Sequence, residues 1–157
     1  MRVFNLHRSK YIKKIGKFKI CEFCNPKNIK EQKCKNLSGK FWRVFVSKYP
    51  YLDGNVLVIP IRHIENIEQL TKEEWAELHQ IFKQTKKKLG GIFKTKDFNI
   101  GLNLGKGAGA SIEHLHWQVI PRNRKVLMNA TNLLADLYTI TISSQDLKRM
   151  IEKKFPD

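Results

Sequence analysis

Residues 103–122, NLGKGAGASIEHLHWQVIPR, join a glycine-rich turn to an alternating segment that carries two of the protein's five histidines. Alternation with a period of two predicts a β-strand ending at Pro121, with His114, His116 and Gln118 on one face and apolar residues on the other. Glycines ahead of this strand can bring backbone N–H groups close to an anion, because no Cβ intervenes. The stretch therefore predicts a phosphate-binding turn beside a pair of histidines.

Three further segments have the composition or the alternation of strands. Residues 41–46 (FWRVFV) and 56–60 (VLVIP) are aromatic and β-branched, which suits buried strands of a pleated sheet. The Asp53-Gly54 dipeptide between them predicts a turn, so these two segments should form an antiparallel hairpin. In residues 98–104 (FNIGLNL), large apolar residues alternate with asparagine and glycine. This alternation predicts a strand just ahead of the glycine-rich turn.

Helical periodicity is clearest at residues 71–89. Thr71 and Glu74 have the spacing of a capping box, and Gly90-Gly91 is predicted to end the helix. A short helix is also expected at residues 145–155, with Ser143 and Asp146 at capping spacing. Strands in hairpin order, with helices between or after them, predict an α+β fold in which helices pack on an antiparallel β-sheet.

The remaining segments have no clear period. Pro26 and its asparagine neighbours predict a turn, followed by a polar, lysine-rich connection that runs to Gly39. Residues 126–142 are apolar, and TITI at their end is their most strand-like part. With 157 residues, no internal repeat and no clean linker, the chain is expected to form one domain over residues 1–157.

Composition and charge narrow the class of protein. With 41% hydrophobic and 28% charged residues the chain has the make-up of a globular protein, and no apolar run approaches the roughly 18 residues of a membrane span. The N-terminus lacks the apolar core of a secretory signal, so we expect a cytoplasmic location and no membrane partner.

The net charge of +16 favours polyanionic partners: nucleotides, nucleic acid or phosphorylated metabolites. The excess is greatest in a basic N-terminal segment, residues 1–40, which holds 12 Lys and Arg against Glu22 and Glu31 and also carries the close cysteine pair. A solvated lysine-rich surface is the alternative explanation of this charge.

Cysteine usage favours a metal site over disulfides. The three cysteines, Cys21, Cys24 and Cys34, make an odd count in a chain without an export signal. The C-x-x-C spacing suits two zinc thiolates, and two further ligands must then come from a distance. Candidates are His63, after the VIP strand, and His114, with His7 as a weaker one. Two ordinary buried thiols remain the alternative.

The histidine pair suggests nucleophilic chemistry. A neutral imidazole can attack the α-phosphorus of a nucleotide and give a covalent nucleotidyl-histidine, provided that its other ring nitrogen is held as a donor. Gln118, Ser111 and amides of the glycine turn are candidate donors to the phosphate oxygens. The turn matches neither the dinucleotide-binding motif nor the P-loop. A half-buried strand whose histidines only hydrogen-bond to neighbours is the structural alternative.

The segment HLHWQVIPR resembles the signature of the histidine-triad (HIT) superfamily, in which three histidines alternate with apolar residues. Gln118 stands in place of the third histidine, as in galactose-1-phosphate uridylyltransferase. The wider GAGASIEHLHWQVIPRN is most similar to the diadenosine tetraphosphate phosphorylase or ATP adenylyltransferase-like branch. The resemblance extends from CEFC through YPYLDGNVLVIPIRHI and the main helix to this motif.

The resemblance implies a HIT-like antiparallel sheet with packed helices, usually in a homodimer, and a nucleotidyltransferase that favours adenine nucleotides. His116 would be the nucleophile and Gln118 would contact the transferred phosphate. The implied nucleotide- and phosphate-binding residues are Asn103, Gly109, Ser111 and, where many members have a ribose-contacting Asn or Asp, Ser47. The implied ligands of a structural Zn²⁺ are Cys21, Cys24, His63 and His114.

Two alternatives remain. The first is a nucleotide hydrolase of the same superfamily, acting on dinucleoside polyphosphates or nucleoside phosphoramidates, in which water resolves the intermediate. Gln118 disfavours it, because glutamine cannot relay a proton as histidine can. The second is a zinc-ordered nucleic-acid-binding module, suggested by the +16 charge. The motif strand lacks the exposed aromatic platform of single-strand binders, so this alternative is less favoured.

Overall fold

Four antiparallel strands form the sheet in the computed structural model of the chain, which describes residues 20–122 and 142–153. The strands are β1 (Trp42–Val46), β2 (Val56–Pro60), β3 (Phe98–Leu102) and β4 (Trp117–Pro121). Their order across the sheet is β1-β2-β4-β3, so β4, the strand that follows the motif histidines, lies between β2 and β3. The predicted α+β class with an antiparallel sheet is confirmed.

The predicted hairpin of β1 and β2 is confirmed, with Val44 opposite Val58. Its connection needs glycine at position 54, where φ is +81°. A Cβ on Gly54 would lie 2.4 Å from Cγ of Pro121, so a side chain there would be strained and would also collide with the end of β4. The glycine turn between β1 and β2 therefore packs closely against Pro121 at the end of β4.

A helix occupies the segment that Pro26 predicted to be a turn. This helix, α1 (Pro26–Gln32), is capped by Asn25, whose side-chain oxygen accepts a hydrogen bond from the N–H of Lys27 at 2.9 Å. Proline is favoured at the first helical position, because its fixed φ suits a helix and its missing N–H would have had no partner there. The predicted turn was wrong because Pro26 begins a helix here.

The main helix, α2 (Lys72–Phe93), has the capping box predicted from Thr71 and Glu74. It does not end at Gly90-Gly91 as expected but continues to Phe93, and Lys94 closes it in a left-handed conformation with φ of 51°. Ile92 and Phe93 pack against the core, and their burial offsets the roughly 1 kcal/mol that each interior glycine costs.

The C-terminal helix is α3 (Ser144–Glu152), close to the predicted bounds, and the side chain of Ser143 caps it by accepting from the N–H of Asp146. Leu147 and Ile151 are buried. Two segments named in the sequence analysis lie outside the described residues. They are residues 126–141 of the apolar 126–142 segment and the N-terminal residues 1–19, which include the candidate ligand His7. Among the described residues, no helix is both long and apolar enough to cross a membrane.

The two faces of the sheet have different coverings. Alternate residues of β1 and β2, such as Val44 and Val58, face a core that includes Leu78 of α2 and Leu147 of α3. The opposite face carries a smaller cluster of Phe23, Phe45, Leu57 and Ile59. Helices α2 and α3 thus cover one face and leave the other to the cysteine segment and the histidines.

Candidate functional site

The two motif histidines lie just before β4, not within it as the alternation predicted. The N–H of the residue between them, Leu115, donates to the carbonyl of Ile64 at 2.6 Å instead of to a neighbouring strand. The chain is nevertheless extended enough to keep the alternation. The rings of His114 and His116 both pack against Phe23, at centroid distances of 5.8 and 5.2 Å, while Leu115 belongs to the core on the helix side.

The ring of His116 is held in one tautomer. Its Nδ1 lies 2.8 Å from the carbonyl oxygen of His114. A carbonyl can only accept a hydrogen bond, so Nδ1 carries the proton and donates it. In the neutral ring, the lone pair is then on Nε2, on the other side of the ring. The side chain is 8% exposed, which leaves one edge accessible from the adjoining cleft.

His114 is oriented the other way round. Its Nε2 lies 3.1 Å from the carbonyl oxygen of Pro60 and donates to it, so Nδ1 has the free lone pair. Burial, above all, lowers the pKa of His114 to about 4, and the ring is therefore neutral at pH 7. Nδ1 lies 3.4 Å from Sγ of Cys21 and 3.6 Å from Sγ of Cys24.

The same four residues that the resemblance implied as metal ligands come together. One ligand atom from each of Cys21, Cys24, His63 and His114 lies within 4.8 Å of the others, and Nδ1 of His63 is 3.6 Å from Sγ of Cys24. In a tetrahedral zinc site, sulfur and nitrogen ligands are about 3.5 Å apart, given bonds of about 2.3 and 2.0 Å. The donor set and its spacing fit Zn²⁺.

Electrostatics at the cysteine pair also favour a cation. Burial, and next the charge of neighbouring Cys21, raise the pKa of the Cys24 thiol. A divalent metal reverses this effect, because it neutralises adjacent thiolates. The third cysteine, Cys34, is fully buried in the helix-side core, and its burial raises the pKa of its thiol to about 12. It lies outside the ligand cluster.

The cysteine turn connects this cluster to His116. The N–H of Cys24 donates to the carbonyl of Cys21 at 3.0 Å, which closes a tight turn around Phe23. Phe23 is 5% exposed and packs edge-on against both His116 and Phe45. Whatever fixes the two cysteines therefore also fixes the wall against which the His116 ring rests.

A single cleft brings together most of the predicted binding residues. It is lined by Ser47, Gly109, Ser111, His116 and Gln118. Asn103 lies beside it, with Nδ2 3.4 Å from the position that a Cβ on Gly109 would occupy. Gly109 has a φ of +93°, and its N–H already donates to the carbonyl of Lys106. Its contribution is therefore space and turn geometry, because its own N–H already has a partner.

Gln118 has an unsatisfied atom in this cleft. Its side-chain oxygen is buried and has no hydrogen-bond partner among the described residues. A buried polar group without a partner costs about 1–3 kcal/mol, so such a group in a native structure calls for an explanation. Because an amide oxygen can only accept, a ligand would have to donate to it, for example from a hydroxyl group, whereas the amide nitrogen of Gln118 is the group that can donate to a phosphate oxygen.

Other lining residues were not predicted from the sequence. They include Glu22, Gln32, Lys48 and Tyr49. Glu22 lies inside the C-x-x-C motif, where only the cysteines drew attention, and Nδ2 of Asn28 holds its carboxylate at 2.6 Å. Lys48 and Tyr49 directly follow the predicted Ser47, so their position next to it in the sequence could have indicated that they line the cleft.

Comparison with known proteins adds independent information. The family model described as HIT domain matches residues 37–125. The AP-4-A phosphorylase of Mycobacterium tuberculosis is 39% identical over 85 residues, covering 54% of this chain and 44% of that protein. The asymmetrical bis(5'-nucleosyl)-tetraphosphatase of Schizosaccharomyces pombe is 33% identical over 85 residues, 54% of this chain and 47% of that one. The chain thus spans about half the length of these relatives.

A solved structure supports the fold. A hypothetical histidine triad nucleotide-binding protein from Sulfolobus tokodaii superposes with a TM-score of 0.64, covering 84% of this chain and 89% of that one. At 23% sequence identity, this likeness concerns the arrangement of strands and helices.

Proposed function

Because the chain belongs to the HIT domain family, we propose that it is a nucleotidyltransferase that forms a covalent nucleotidyl-histidine intermediate on His116. The observation that carries this proposal is the hydrogen bond from Nδ1 of His116 to the carbonyl of His114, which leaves Nε2 as a nucleophile at the cleft. The substrate we propose is a dinucleoside polyphosphate of adenine, in keeping with the name of the AP-4-A phosphorylase relative.

The reaction has two displacements at one phosphorus atom. In the first, Nε2 of His116 attacks the α-phosphorus, a P–N bond forms, and the P–O bond to the remaining phosphates breaks. The leaving group departs as a phosphate anion and needs no proton. In the second, an oxygen of inorganic phosphate or a phosphorylated acceptor attacks the same phosphorus, and the P–N bond breaks. His116 regains its lone pair, so one difficult displacement becomes two easier ones.

Side chains around the cleft supply the electrostatic stabilisation. The hydroxyl of Ser111 and the amides of Gln118 and Asn103 are donors suited to the non-bridging oxygens of the transferred phosphate. Ser47 lies at the end of β1 and takes the ribose-contacting position. The ammonium of Lys48, on the same wall, is suited to a distal phosphate.

A structural zinc ion is part of the proposal, with Cys21, Cys24, His63 and His114 as its ligands. Bound there, the metal would neutralise two thiolates and cross-link the cysteine turn to the histidine segment. The chain's own contribution is positional. The carbonyl of Pro60 orients His114, and Phe23 supports the ring of His116.

The rival function is hydrolysis of the same intermediate by water. The 33% identity to an asymmetrical tetraphosphatase is the observation that supports it. The two reactions differ only in the second nucleophile. Gln118 favours phosphate over water, because its amide can bind an anion but cannot deprotonate a water molecule.

Labelling distinguishes these functions. The protein is mixed with ATP or diadenosine tetraphosphate labelled at the α-phosphorus, with and without inorganic phosphate. We expect acid-labile label on the protein, and product formation that rises with phosphate concentration. Mononucleotide release at a rate indifferent to phosphate would favour the hydrolase. No protein label with any nucleotide, together with no turnover, would refute both.

We also propose that the chain forms a homodimer through β3, the strand at one edge of the sheet. Ile100 of β3 is 39% exposed, and Leu104 just beyond it is 38% exposed. An exposed apolar edge strand is suited to pairing with a second copy. Ile100→Lys should therefore shift the protein towards the monomer in light scattering coupled to size-exclusion chromatography.

Met150→Lys is the matched control for this prediction, because Met150 is equally exposed, at 38%, but lies on α3. It should leave the dimer intact. A monomeric unmodified protein, or equal dissociation by both substitutions, would contradict dimerisation through β3.

A further inference from the structure

Lysines surround two grooves that the proposed nucleotide chemistry does not use. The first groove, of about 570 Å³, runs between α1 and α3 and is lined by Lys30, Lys33, Lys35 and Lys148. The second, of about 430 Å³, lies beside the C-terminal half of α2 and is lined by Lys87, Lys88 and Lys94.

The two grooves meet at Asn36, which lines both. Its Nδ2 donates to the carbonyl of Ile151 at 3.0 Å, so the side chain that separates the grooves is tied to the end of α3. One extended basic surface therefore crosses three helices.

Two of these ammonium groups are held in place by the fold. Nζ of Lys148 donates to the carbonyls of Lys30 and Glu31, at 3.2 and 3.1 Å, and so caps the end of α1. Nζ of Lys88 donates to the carbonyl of Lys153 at 2.7 Å, just after α3. A fixed lysine loses less side-chain entropy when a ligand binds, so these charges are preorganised.

The positive charge of the first groove is little compensated. Among the described lining residues the one carboxylate is Glu152, and its Oε1 accepts from the backbone N–H of Lys35 at 3.4 Å. The ion pairs recorded within residues 20–122 and 142–153 involve none of the four lysines of this groove. Its ammonium groups are therefore available to an external anion.

The grooves and the nucleotide cleft share α1 as a wall. Gln32 at the end of this helix lines the cleft, whereas the next residue, Lys33, lines the first groove. The second groove shares no lining residue with the cleft, and it lies beside α2, on the helix-covered side of the sheet. The lysines therefore do not serve the transferred phosphate directly, and because Asn36 joins the two grooves, an extended polyanion is the ligand that could contact the lysines of both at once.

We propose that the two grooves bind the phosphodiester backbone of a nucleic acid strand. Lysine ammonium groups are point charges that contact phosphates without selecting among bases. The described lining residues of both grooves include no aromatic side chain on which a base could stack. The binding is therefore electrostatic, independent of sequence and steeply dependent on salt.

The test is fluorescence anisotropy with a labelled oligonucleotide, single-stranded and duplex, over a series of salt concentrations. Lys30→Gln, Lys35→Gln and Lys87→Gln are combined in one variant; no side-chain contact of these lysines holds the fold among the described residues. We expect the affinity of this triple variant for the oligonucleotide to fall at least about tenfold. The negative slope of log association constant against log salt concentration should become shallower by about three, one for each lost phosphate contact.

The matched control combines Lys40→Gln, Lys72→Gln and Lys96→Gln, which remove the same charge outside the grooves. It should retain most of the affinity, and both variants should melt near the temperature of the unmodified protein. An equal loss in both variants would reduce the effect to net charge and overturn the proposal. So would no binding to either oligonucleotide, or tighter, groove-dependent binding to vesicles of anionic lipid.

Discussion

Replacing His116 with alanine should lower nucleotide transfer by roughly a thousandfold or more, equivalent to about 4 kcal/mol of transition-state stabilisation. The reason is that the covalent route depends on Nε2 of this ring, and no other described side chain at the cleft is an imidazole. The acid-labile label should disappear together with turnover. Single-turnover assays with α-labelled diadenosine tetraphosphate measure both.

Two further variants separate chemistry from folding. His116→Asn keeps an N–H donor that can reach the carbonyl of His114 but lacks a nucleophilic nitrogen, so it should fold normally and remain inactive. His79→Ala, on the exposed side of α2, should behave like the unmodified protein. Turnover within tenfold of normal in His116→Asn would show that the ring is not the nucleophile.

The sequence predicted the parts of the fold whose causes are local. The alternation of β1 and β2, the turn at Gly54 and the capping box of Thr71 and Glu74 depend on neighbouring residues, and each is confirmed. The end of α2 was not predicted, because glycine lowers helix propensity locally while the burial of Ile92 and Phe93 is a tertiary effect.

The candidate site divides in the same way. Spacing alone drew attention to His114 and His116, but their tautomers depend on backbone carbonyls, one of them at Pro60, 54 positions earlier in the chain. Periodicity cannot indicate where such a carbonyl points. It placed both rings on one face, which agrees with their shared contact to Phe23, yet it did not show that one faces sulfur atoms and the other a cleft.

Phe23 illustrates a contribution that no motif could have suggested. In a C-x-x-C motif, the residues between the cysteines carry no metal-binding signal, so the sequence assigned no role to this phenylalanine. In the structure its ring packs against both His114, a proposed metal ligand, and His116, the proposed nucleophile, in addition to the hydrogen bond that joins these two histidines. The two sites should therefore be coupled: a change that loosens the cysteine turn should also affect the position of His116, although none of the four proposed metal ligands lines the cleft.

This coupling underlies the second large expected effect. Cys24→Ser should remove about one equivalent of zinc and destabilise the protein by at least about 4 kcal/mol, the stabilisation given by a ligand at a thousandfold its Kd. The melting temperature should fall by roughly 10 °C. Nucleotide transfer should decline as well, because Phe23 no longer holds the His116 ring firmly. Elemental analysis, thermal melting and single-turnover assays measure the three changes.

Cys34→Ala provides the control that distinguishes metal loss from ordinary core damage. Cys34 is fully buried but lies outside the ligand cluster, so its replacement should cost about 1 kcal/mol from lost packing and leave the zinc content unchanged. With its thiol pKa near 12, Cys34 should also resist alkylation at pH 8 in the folded protein, whereas chelation should expose Cys21 and Cys24 to the reagent. If Cys24→Ser kept a full equivalent of zinc, or if the unmodified protein never bound any, the four residues would be a cluster of ordinary buried thiols and histidines. The support of His116 would then come from its packing against Phe23 and its hydrogen bond to the carbonyl of His114, without a metal behind them.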